Sequence, residues 1–406
     1  EAMALRKMQF DSNGMRIAAV ARSYPARITI CDANPSRSLH SEYVVGLLNE
    51  PHSWFQPLGT SASGNLLSRP TEMSGDGSFV VGFSDKRKTG RLEAFRWSRG
   101  EGTKSYSLEG AAVGAQANAV SDDGQVACGS GGNGWAALVW DSPDDAPQFV
   151  APPWSNATDL TSDGSVIIGT RWKNHRSEAF RWEAGKTALL PRSVDHQHIA
   201  AVVSTPDGAH LLGVAYDITS DPKEGPKIDN SKVRKAVPVI WTNNELVKCA
   251  GFDPQYNWWP KGISDDGKVI VGNRWKAGRP YDDPSENHHT RAFRWESGKV
   301  TMLGTLTGIK HSRAGGVSAD GSVVIGACED EMRGGPDCVG FAWDAEHGMR
   351  SLAELCASAG MNPSGWQPTT GAAISADGRT IAGRGIDPEG QAIGWVARLP
   401  AGTIGA

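Results

Sequence analysis

The chain has 406 residues, of which 39% are hydrophobic and 21% charged, a composition typical of a globular protein and not of a disordered one. Its formal net charge of −4 offers no polybasic surface, so neither nucleic acid nor an anionic membrane surface is expected as a partner. No apolar run approaches the roughly 20 residues of a membrane helix, so we expect no membrane insertion.

The six cysteines are too few for a disulfide scaffold and show no paired CxxC spacing, so we expect no metal site. Cys328 and Cys338 flank a Gly-Gly-Pro stretch. Two interpretations stay open there: one disulfide that staples the stretch, or two free thiols. The sequence has no phosphate-cradling loop, and no cofactor is expected.

A four-residue turn motif, S-x-D-G, recurs along most of the chain. Each copy follows a short apolar or small stretch and precedes a β-branched run such as Val323 to Ile325. Because Asp and Gly supply the chemistry of tight turns, each copy predicts a β-hairpin. The motif begins at Ser74, Ser121, Ser264, Ser318 and Ser375, with variants at Thr161 and Thr205.

A second motif, A-F-R-W, follows each turn and marks a further strand. We name the four predicted strands of a unit A to D: A precedes the S-x-D-G turn, B follows it, C carries the tryptophan, and D comes last. Four strands in a unit of about 40 to 60 residues are typical of a propeller blade. The motif ends at Trp97, Trp182 and Trp295, and degenerate forms end at Trp140, Trp241, Trp343 and Trp395.

The predicted fold is an all-β, single β-propeller domain of four-stranded blades that spans residues 1–406. Eight blades are favoured, the first being a degenerate N-terminal copy; seven blades with an N-terminal extension are the alternative. The last unit lacks strand D, so ring closure requires a strand from the other end of the chain. A β-helix and a β-sandwich are disfavoured, because β-helix repeats are shorter and sandwiches do not repeat in this way. The predicted units are 1–65, 66–112, 113–153, 154–195, 196–255, 256–309, 310–366 and 367–406.

The two motifs resemble those of bacterial extracellular repeat proteins of the HAF type, whose units carry S-x-D-G-x-V-V-G and an aromatic A-F-x-W strand. The resemblance covers the chain from about Glu72 onward, and Thr161 and Thr205 depart from the usual Ser but keep the turn. It implies a propeller-like fold and export, to the extracellular space or cell surface, with the periplasm as an alternative. It implies no catalytic motif, because this group is functionally mixed.

Eight of the fifteen tryptophans are not required by the repeat. Antiparallel strands place the B–C loops and D–A connections on one face of the ring, and the A–B and C–D turns on the other. We predict that all eight lie on the first face, where the B–C loops of the units at 196–255 and 256–309 are long. They are Trp54, Trp135, Trp154, Trp172, Trp258, Trp259, Trp275 and Trp366.

Two of these tryptophans follow an arginine just after strand B, in Thr170-Arg171-Trp172-Lys173 and Asn273-Arg274-Trp275-Lys276. Planar rings beside cations suit stacking on sugars, so the copies predict two equivalent sugar subsites. A packing pair retained by the repeat is the alternative. The predicted substrate-binding set is Arg171, Trp172, Trp258, Trp259, Lys261, Arg274, Trp275, Arg279 and Arg313.

Two kinds of catalytic group are candidates. Two residues before the turn, at a strand A position predicted to line the central channel, only Glu72 and Asp159 are acidic. Such a pair would serve glycoside hydrolysis; the alternative is two carboxyl groups satisfied by channel water and strand amides. A polysaccharide lyase would instead need a base beside cations that neutralise the uronate. The candidate bases are His198, Tyr281, His289 and His311.

These features together predict a secreted carbohydrate-active protein. It would bind a polysaccharide or oligosaccharide on the loop face and cleave it as a lyase or glycoside hydrolase. The alternative is a non-catalytic surface or matrix propeller that binds glycans or proteins there. The protein is predicted to be a monomer.

Overall fold

The computed structural model describes residues 8–10, 16–21, 28–31, 53–59, 68–85, 92–106, 114–132, 134–218, 233–276, 289–330, 337–361 and 365–405. The chain divides into two compact units, Glu1–His52 and Ser53–Ala406. The first contains an antiparallel sheet of three strands in the order β1-β2-β3. These strands are β1 (Met8–Phe10), β2 (Arg16–Ala21) and β3 (Ile28–Cys31).

The second unit is a β-propeller of seven blades, each an antiparallel sheet whose strands A to D follow one another in space. Blade 1 contains β5 (Ser68–Met73), β6 (Phe79–Asp85), β7 (Leu92–Ser98) and β8 (Gly102–Ser105). Blade 2 contains β9 (Ala115–Val120), β10 (Ala127–Gly131), β11 (Ala136–Trp140) and β12 (Gln148–Pro153). Blade 3 contains β13 (Ser155–Leu160), β14 (Val166–Lys173), β15 (Arg176–Glu183) and β16 (Lys186–Leu189).

The next three blades repeat this order. Blade 4 contains β17 (His198–Ser204), β18 (His210–Ile218), β19 (Val233–Thr242) and β20 (Glu245–Lys248). Blade 5 contains β21 (Tyr256–Ile263), β22 (Val269–Lys276), β23 (Arg291–Glu296) and β24 (Lys299–Met302). Blade 6 contains β25 (His311–Val317), β26 (Val324–Glu329), β27 (Val339–Asp344) and β28 (Gly348–Ser351).

Blade 7 is assembled from both ends of the propeller unit. Two short segments, β29 (Gln367–Pro368) and β30 (Ala373–Ile374), pair with β31 (Thr380–Ile386), which pairs with β32 (Ala392–Arg398). Strand D is β4 (Trp54–Pro57), which pairs with β32 from Arg398↔Trp54 to Trp395↔Pro57. Before this blade comes a helix, α1 (Leu352–Ser358), whose N-cap Ser351 accepts a hydrogen bond from the Glu354 N–H at 3.1 Å.

The favoured prediction of eight blades is therefore wrong, and the alternative of seven is confirmed. The predicted unit 1–65 supplies the ring with one strand, β4, because the last repeat lacks strand D and its open edge needs a partner. The predicted units from 66 to 366 each contain the four strands of one blade, and the unit 367–406 contains strands A to C of the last. The seven motif tryptophans all lie on strand C, as predicted.

The S-x-D-G turns have one geometry in all blades. In blade 1 the Ser74 hydroxyl donates to the Asp76 carboxylate at 2.7 Å and accepts from the Phe79 N–H, while Gly77 has a φ of 74°. A side chain would be strained at that φ, so the motif needs glycine there. The residue after each turn Ser or Thr links neighbouring blades, and the Ala376 N–H donates to the Gly75 carbonyl at 2.7 Å across the closure.

The hydrophobic core lies between neighbouring blades, as where Ile168 of blade 3 packs with Ile199 and Trp241 of blade 4. Cys328 and Cys338 are separate buried thiols, as in the second of the two interpretations left open by the sequence. In the described part of the chain, no helix is long and apolar enough to span a membrane.

Candidate functional site

Seven of the eight surplus tryptophans lie at the predicted face, at strand B ends, strand A starts or the connections between them. Trp54 does not, so that prediction is wrong for this residue. Because it pairs with Arg398, the last residue of strand C, Trp54 lies at the opposite, C–D side of the ring. Its ring lies 6.2 Å from that of Trp97 and has the Arg99 guanidinium 4.8 Å above it.

Five rings form a continuous row across blades 3, 4 and 5, which we call the aromatic row: Trp172, His198, Tyr216, Trp259 and Trp275. Successive ring centroids are 5.2, 5.0, 5.3 and 6.3 Å apart in that order. The first three rings are stacked, with interplanar angles of 18° and 19°. The two predicted subsites around Trp172 and Trp275 are thus connected by a chain of ring contacts.

The three tryptophans of the row stay half-buried, whereas His198 and Tyr216 are buried beneath them. Tyr216 was missed by the sequence analysis, although the repeat contained its signal. It stands three residues after the strand B glycine Gly213, as Trp172 does after Gly169 and Trp275 after Gly272. Three of the five rings therefore occupy one repeat position in three successive blades, and His198 and Trp259 of strand A lie between them.

Other predicted binding residues are engaged within the propeller. Trp258 is 5% exposed, packs on Phe293 and donates from Nε1 to the Asp253 carbonyl, so it is a packing residue. Arg171 pairs with Glu178 at 2.9 Å, and the Arg274 guanidinium lies 4.0 Å from the Tyr256 ring centroid. Arg279 and Tyr281 lie outside the described residues.

His198 and His311 occupy equivalent positions, seven residues before the turn of blades 4 and 6. The Nδ1 atom of His198 accepts a hydrogen bond from the Ser177 N–H of blade 3 at 3.2 Å, and that of His311 accepts from the Thr290 N–H of blade 5 at 3.1 Å. At the same position in blade 5, the Asn257 amide oxygen accepts from the Ala236 N–H. These residues link blades, and a neutral ring is required for the acceptor role.

Burial lowers the pKa of both His198 and His311 to about 4, and the charge of neighbouring His289 adds to the effect on His311. The His289 and His311 ring centroids are 4.9 Å apart. A base with so low a pKa is a weak proton acceptor at neutral pH. In the described residues, no group of three or more His, Cys, Asp or Glu side chains could hold a metal ion.

The depressed histidine pKa values predict acid destabilisation. The unfolded chain binds more protons than the folded one between about pH 6.5 and about pH 4, so stability is present above this window and is lost as pH falls through it. We expect His311→Asn, which keeps the acceptor as Asn257 does, to reduce the loss in unfolding free energy between pH 7 and pH 4.5 by about 2 kcal/mol. Urea denaturation at both pH values measures this, with exposed His175→Asn as the control. An equal loss in His311→Asn and wild type would contradict it.

Glu72 and Asp159, the two acidic candidates of strand A, lie close together in the structure. In six blades a β-bulge interrupts the pairing of strands A and B between the fourth and second residues before the turn. The extra residue, three before the turn, is half-buried in five of these blades and exposed in the case of Lys261, whereas Asp159 is 4% exposed and Glu72 half-buried. The expectation that both residues face the open channel is therefore wrong for Asp159.

The two carboxyl groups hydrogen-bond to each other across Ala119, which occupies the equivalent position in the intervening blade. The Asp159 carboxylate also accepts bonds from Ser204, from N–H at 2.6 Å and from Oγ at 3.0 Å. Burial raises the pKa of Asp159 to about 6; burial and then the Asp159 charge raise the pKa of Glu72 well above its usual value. At neutral pH Glu72 is accordingly the protonated partner and donates to Asp159.

The raised pKa of Glu72 has the opposite consequence for stability. The folded state holds a proton that the unfolded state releases, so this stability is fully present below the unfolded pKa of Glu72 and is lost as pH rises above it. Glu72→Gln keeps a donor toward Asp159 without an ionisable proton. We expect the Tm of Glu72→Gln minus that of wild type to increase by a few °C from pH 5 to pH 8. This increase corresponds to a free energy on the order of 1 kcal/mol. Exposed Glu245→Gln is the control, and a constant Tm difference would refute the shared proton.

The remaining predicted binding residues, Lys261 and Arg313, lie across the channel from Glu72 and Asp159. Lys261 is the bulge residue of β21 and is exposed to the channel. Arg313, on β25 of the next blade, pairs with Glu329 at 2.6 Å, and Glu329 also lies 3.5 Å from the Cys338 thiol. No repeat position announces Glu329, so sequence analysis had no signal for it.

Several solved structures resemble this fold at low sequence identity. TolB from Acinetobacter baumannii is 12% identical, with 85% of this chain and 77% of that chain covered and a TM-score of 0.46. The β-propeller domain of the Trilobed protease from Pyrococcus furiosus is 10% identical over 82% and 94%, with a TM-score of 0.49. Acylaminoacyl peptidase from Pyrococcus horikoshii is 12% identical over 82% and 52%, with a TM-score of 0.50. No protein-family model and no curated protein matches the chain.

The prediction of a carbohydrate-active protein is wrong. The similar structures are TolB and propellers of peptidases, and none of those named is carbohydrate-active. The site agrees with this correction, because Trp172, His198 and Tyr216 stack on one another and so cover the ring faces that sugars would need. Two of the candidate lyase bases, His198 and His311, instead link blades.

Proposed function

We propose that the propeller is a non-catalytic protein-binding module that holds an extended segment of a partner along the aromatic row. The observation that carries this proposal is the continuity of the row, which crosses three blades and keeps three half-buried tryptophans at one face. Large rigid aromatic side chains supply contact area at low entropic cost and dominate the energetics of protein interfaces.

The geometry favours apolar peptide side chains as the bound groups. Trp172, Trp259 and Trp275 are half-buried and so keep part of each ring exposed, and an apolar side chain can pack against such a ring without needing a free ring face. Tyr216 and His198 hold the row from below, since the Tyr216 hydroxyl hydrogen-bonds Ser177 at 3.0 Å and His198 accepts from the same residue. A row anchored in this way is pre-organised, which lowers the entropic cost of binding.

Export and a HAF-type relationship stay predictions, and both are compatible with a protein-binding propeller. A monomeric state likewise stays a prediction. Fractionation of cells that produce the protein naturally, followed by detection with an antibody, would test export directly.

A phage-displayed library of random 12-residue peptides, selected on the wild-type protein, tests the proposed function. We expect selected peptides to bind with affinities that fall about tenfold or more in Trp172→Ala and in Trp259→Ala. Trp154→Ala is the matched control, because Trp154 is 54% exposed but lies outside the row. Calorimetric titration measures affinity, and thermal melts confirm folding of each variant. Peptides that bind all three variants equally would place the interface elsewhere and overturn the proposal.

A further inference from the structure

The central channel has charges of opposite sign at different depths. Strand A runs toward the A–B turn, and the turns of blades 2 and 5 place Asp122 and Asp265 at that end. Burial, followed by the charge of Asp122, raises the pKa of Asp265 there. Lys261 and Arg313 stand three and five residues before their turns, closer to the face that carries the aromatic row. An anion entering from that face therefore meets cations first.

Lys261 differs from its counterparts at the bulge position. Thr71, Asn118 and Thr158 each donate to a carbonyl of the next blade, at 2.8, 2.7 and 3.3 Å. Within the residues that the structure describes, Lys261 makes no hydrogen bond and no ion pair. Its counterpart in blade 6 is Gly315, which has no side chain to satisfy the ammonium group. The three donors of Lys261 are thus left to channel water.

Among the residues that the structure describes, no acid pairs with Lys261. The neighbouring cation Arg313 is paired with Glu329, which is 1% exposed. Enclosure by the channel and the positive charge of Arg313 both lower the pKa of Lys261, in that order. Arg313 itself keeps 36% of its side chain exposed. Two neighbouring cations, of which one is paired with an acid, keep a net positive charge that attracts an anion.

The cationic site shares strand β21 with the aromatic row. Trp259 precedes Lys261 by two residues on β21, about 7 Å along a strand. A peptide that lies on the row therefore reaches Lys261 within about two of its own residues. We propose that Lys261, with Arg313, binds a carboxylate of the partner segment at the channel end of the aromatic row. This proposal rests on the proposed function and adds the chemistry of one end of the ligand.

Three peptides test the site: acetyl-Pro-Leu-Phe with a free C-terminal carboxylate, its C-terminal amide, and acetyl-Pro-Leu-Phe-Glu-amide. Each is titrated into wild type, Lys261→Met and the control Lys268→Met, with saturation-transfer NMR as the readout. Lys268 is an exposed lysine paired with Asp266 in an A–B turn. We expect a carboxylate peptide to bind wild type and Lys268→Met alike and to lose about tenfold in affinity in Lys261→Met. The amide should bind about as weakly to wild type as the carboxylate peptide binds to Lys261→Met.

The two carboxylate peptides distinguish a chain terminus from an acidic side chain as the source, and binding of either one supports the site. Equal binding of the acid and amide forms, dependent on Trp259, would overturn the anion site and leave the proposed function standing. Inorganic phosphate tests for an anion site in the absence of peptide binding. If no peptide binds but phosphate raises the Tm of wild type and not that of Lys261→Met, the anion site is supported and the proposed function is overturned. No response to any probe overturns both.

Discussion

Deletion of residues 1–58 is expected to abolish the cooperative unfolding transition of the propeller or to leave the protein insoluble. The deletion removes β4 and so leaves β32 as an unpaired edge strand in the last blade. It also removes Phe55, whose ring lies 5.6 Å from that of Trp395 and 5.4 Å from that of Trp366. Loss of Leu58, which is 1% exposed, costs about 2 to 5 kcal/mol by itself, and loss of the half-buried Trp54 and Phe55 adds to this, a large part of the stability of a typical protein.

Deletion of residues 1–52 is the matched control, because it removes the N-terminal unit and retains β4. We expect this variant to melt cooperatively, with a Tm within about 3 °C of the full chain. Circular dichroism melts and size-exclusion chromatography measure both variants. A folded, monomeric protein without residues 1–58 would show that the ring closes without β4 and contradict the assignment of this strand.

The second large effect is expected at Trp241. This strand C residue is 1% exposed, packs between blades 3 and 4, and donates from Nε1 to the Pro191 carbonyl at 2.7 Å. Its replacement by Ala should lower the free energy of unfolding by about 3 to 5 kcal/mol. Trp182 occupies the same motif position but is half-buried, so Trp182→Ala should cost less than half as much.

Urea denaturation monitored by circular dichroism measures both replacements. The comparison separates motif position from burial as the determinant of stability. Equal losses for Trp241 and Trp182 would mean that the motif position alone decides, and that the difference in packing between the two blades has no energetic weight.

Strand order and the seven equivalent tryptophans were predictable because the chemistry behind them is local. The Ser74 hydroxyl, the Asp76 carboxylate and the backbone of Phe79 interact within six residues, and this turn sets the pairing of the strands on either side of it. The sequence showed that Glu72 and Asp159 occupy equivalent repeat positions, but their separation could not be predicted from it. The burial of Asp159 could not be predicted either, because it depends on a bulge that no residue type announces.

Only part of the aromatic row could be predicted from the sequence. Trp172 and Trp275 follow from the repeat, but the contact between them needs His198 and Tyr216 from the intervening blade. From the sequence, His198 was predicted to act as a base, because an unperturbed histidine gains and loses its proton near neutral pH. The N–H of Ser177, which turns it into a neutral acceptor, lies 21 residues earlier in the chain.

The sequence by itself determined the four-stranded blade and its turns, because each turn is stabilised by residues a few positions apart. Only the tertiary structure decided the number of blades, the closing strand and the partners of the candidate site. The Gly394 N–H of the last blade donates to the Ser68 hydroxyl of the first across 326 positions, and β4 pairs with β32 over a similar separation. Such contacts depend on how the repeats fill a complete ring, which no single repeat specifies.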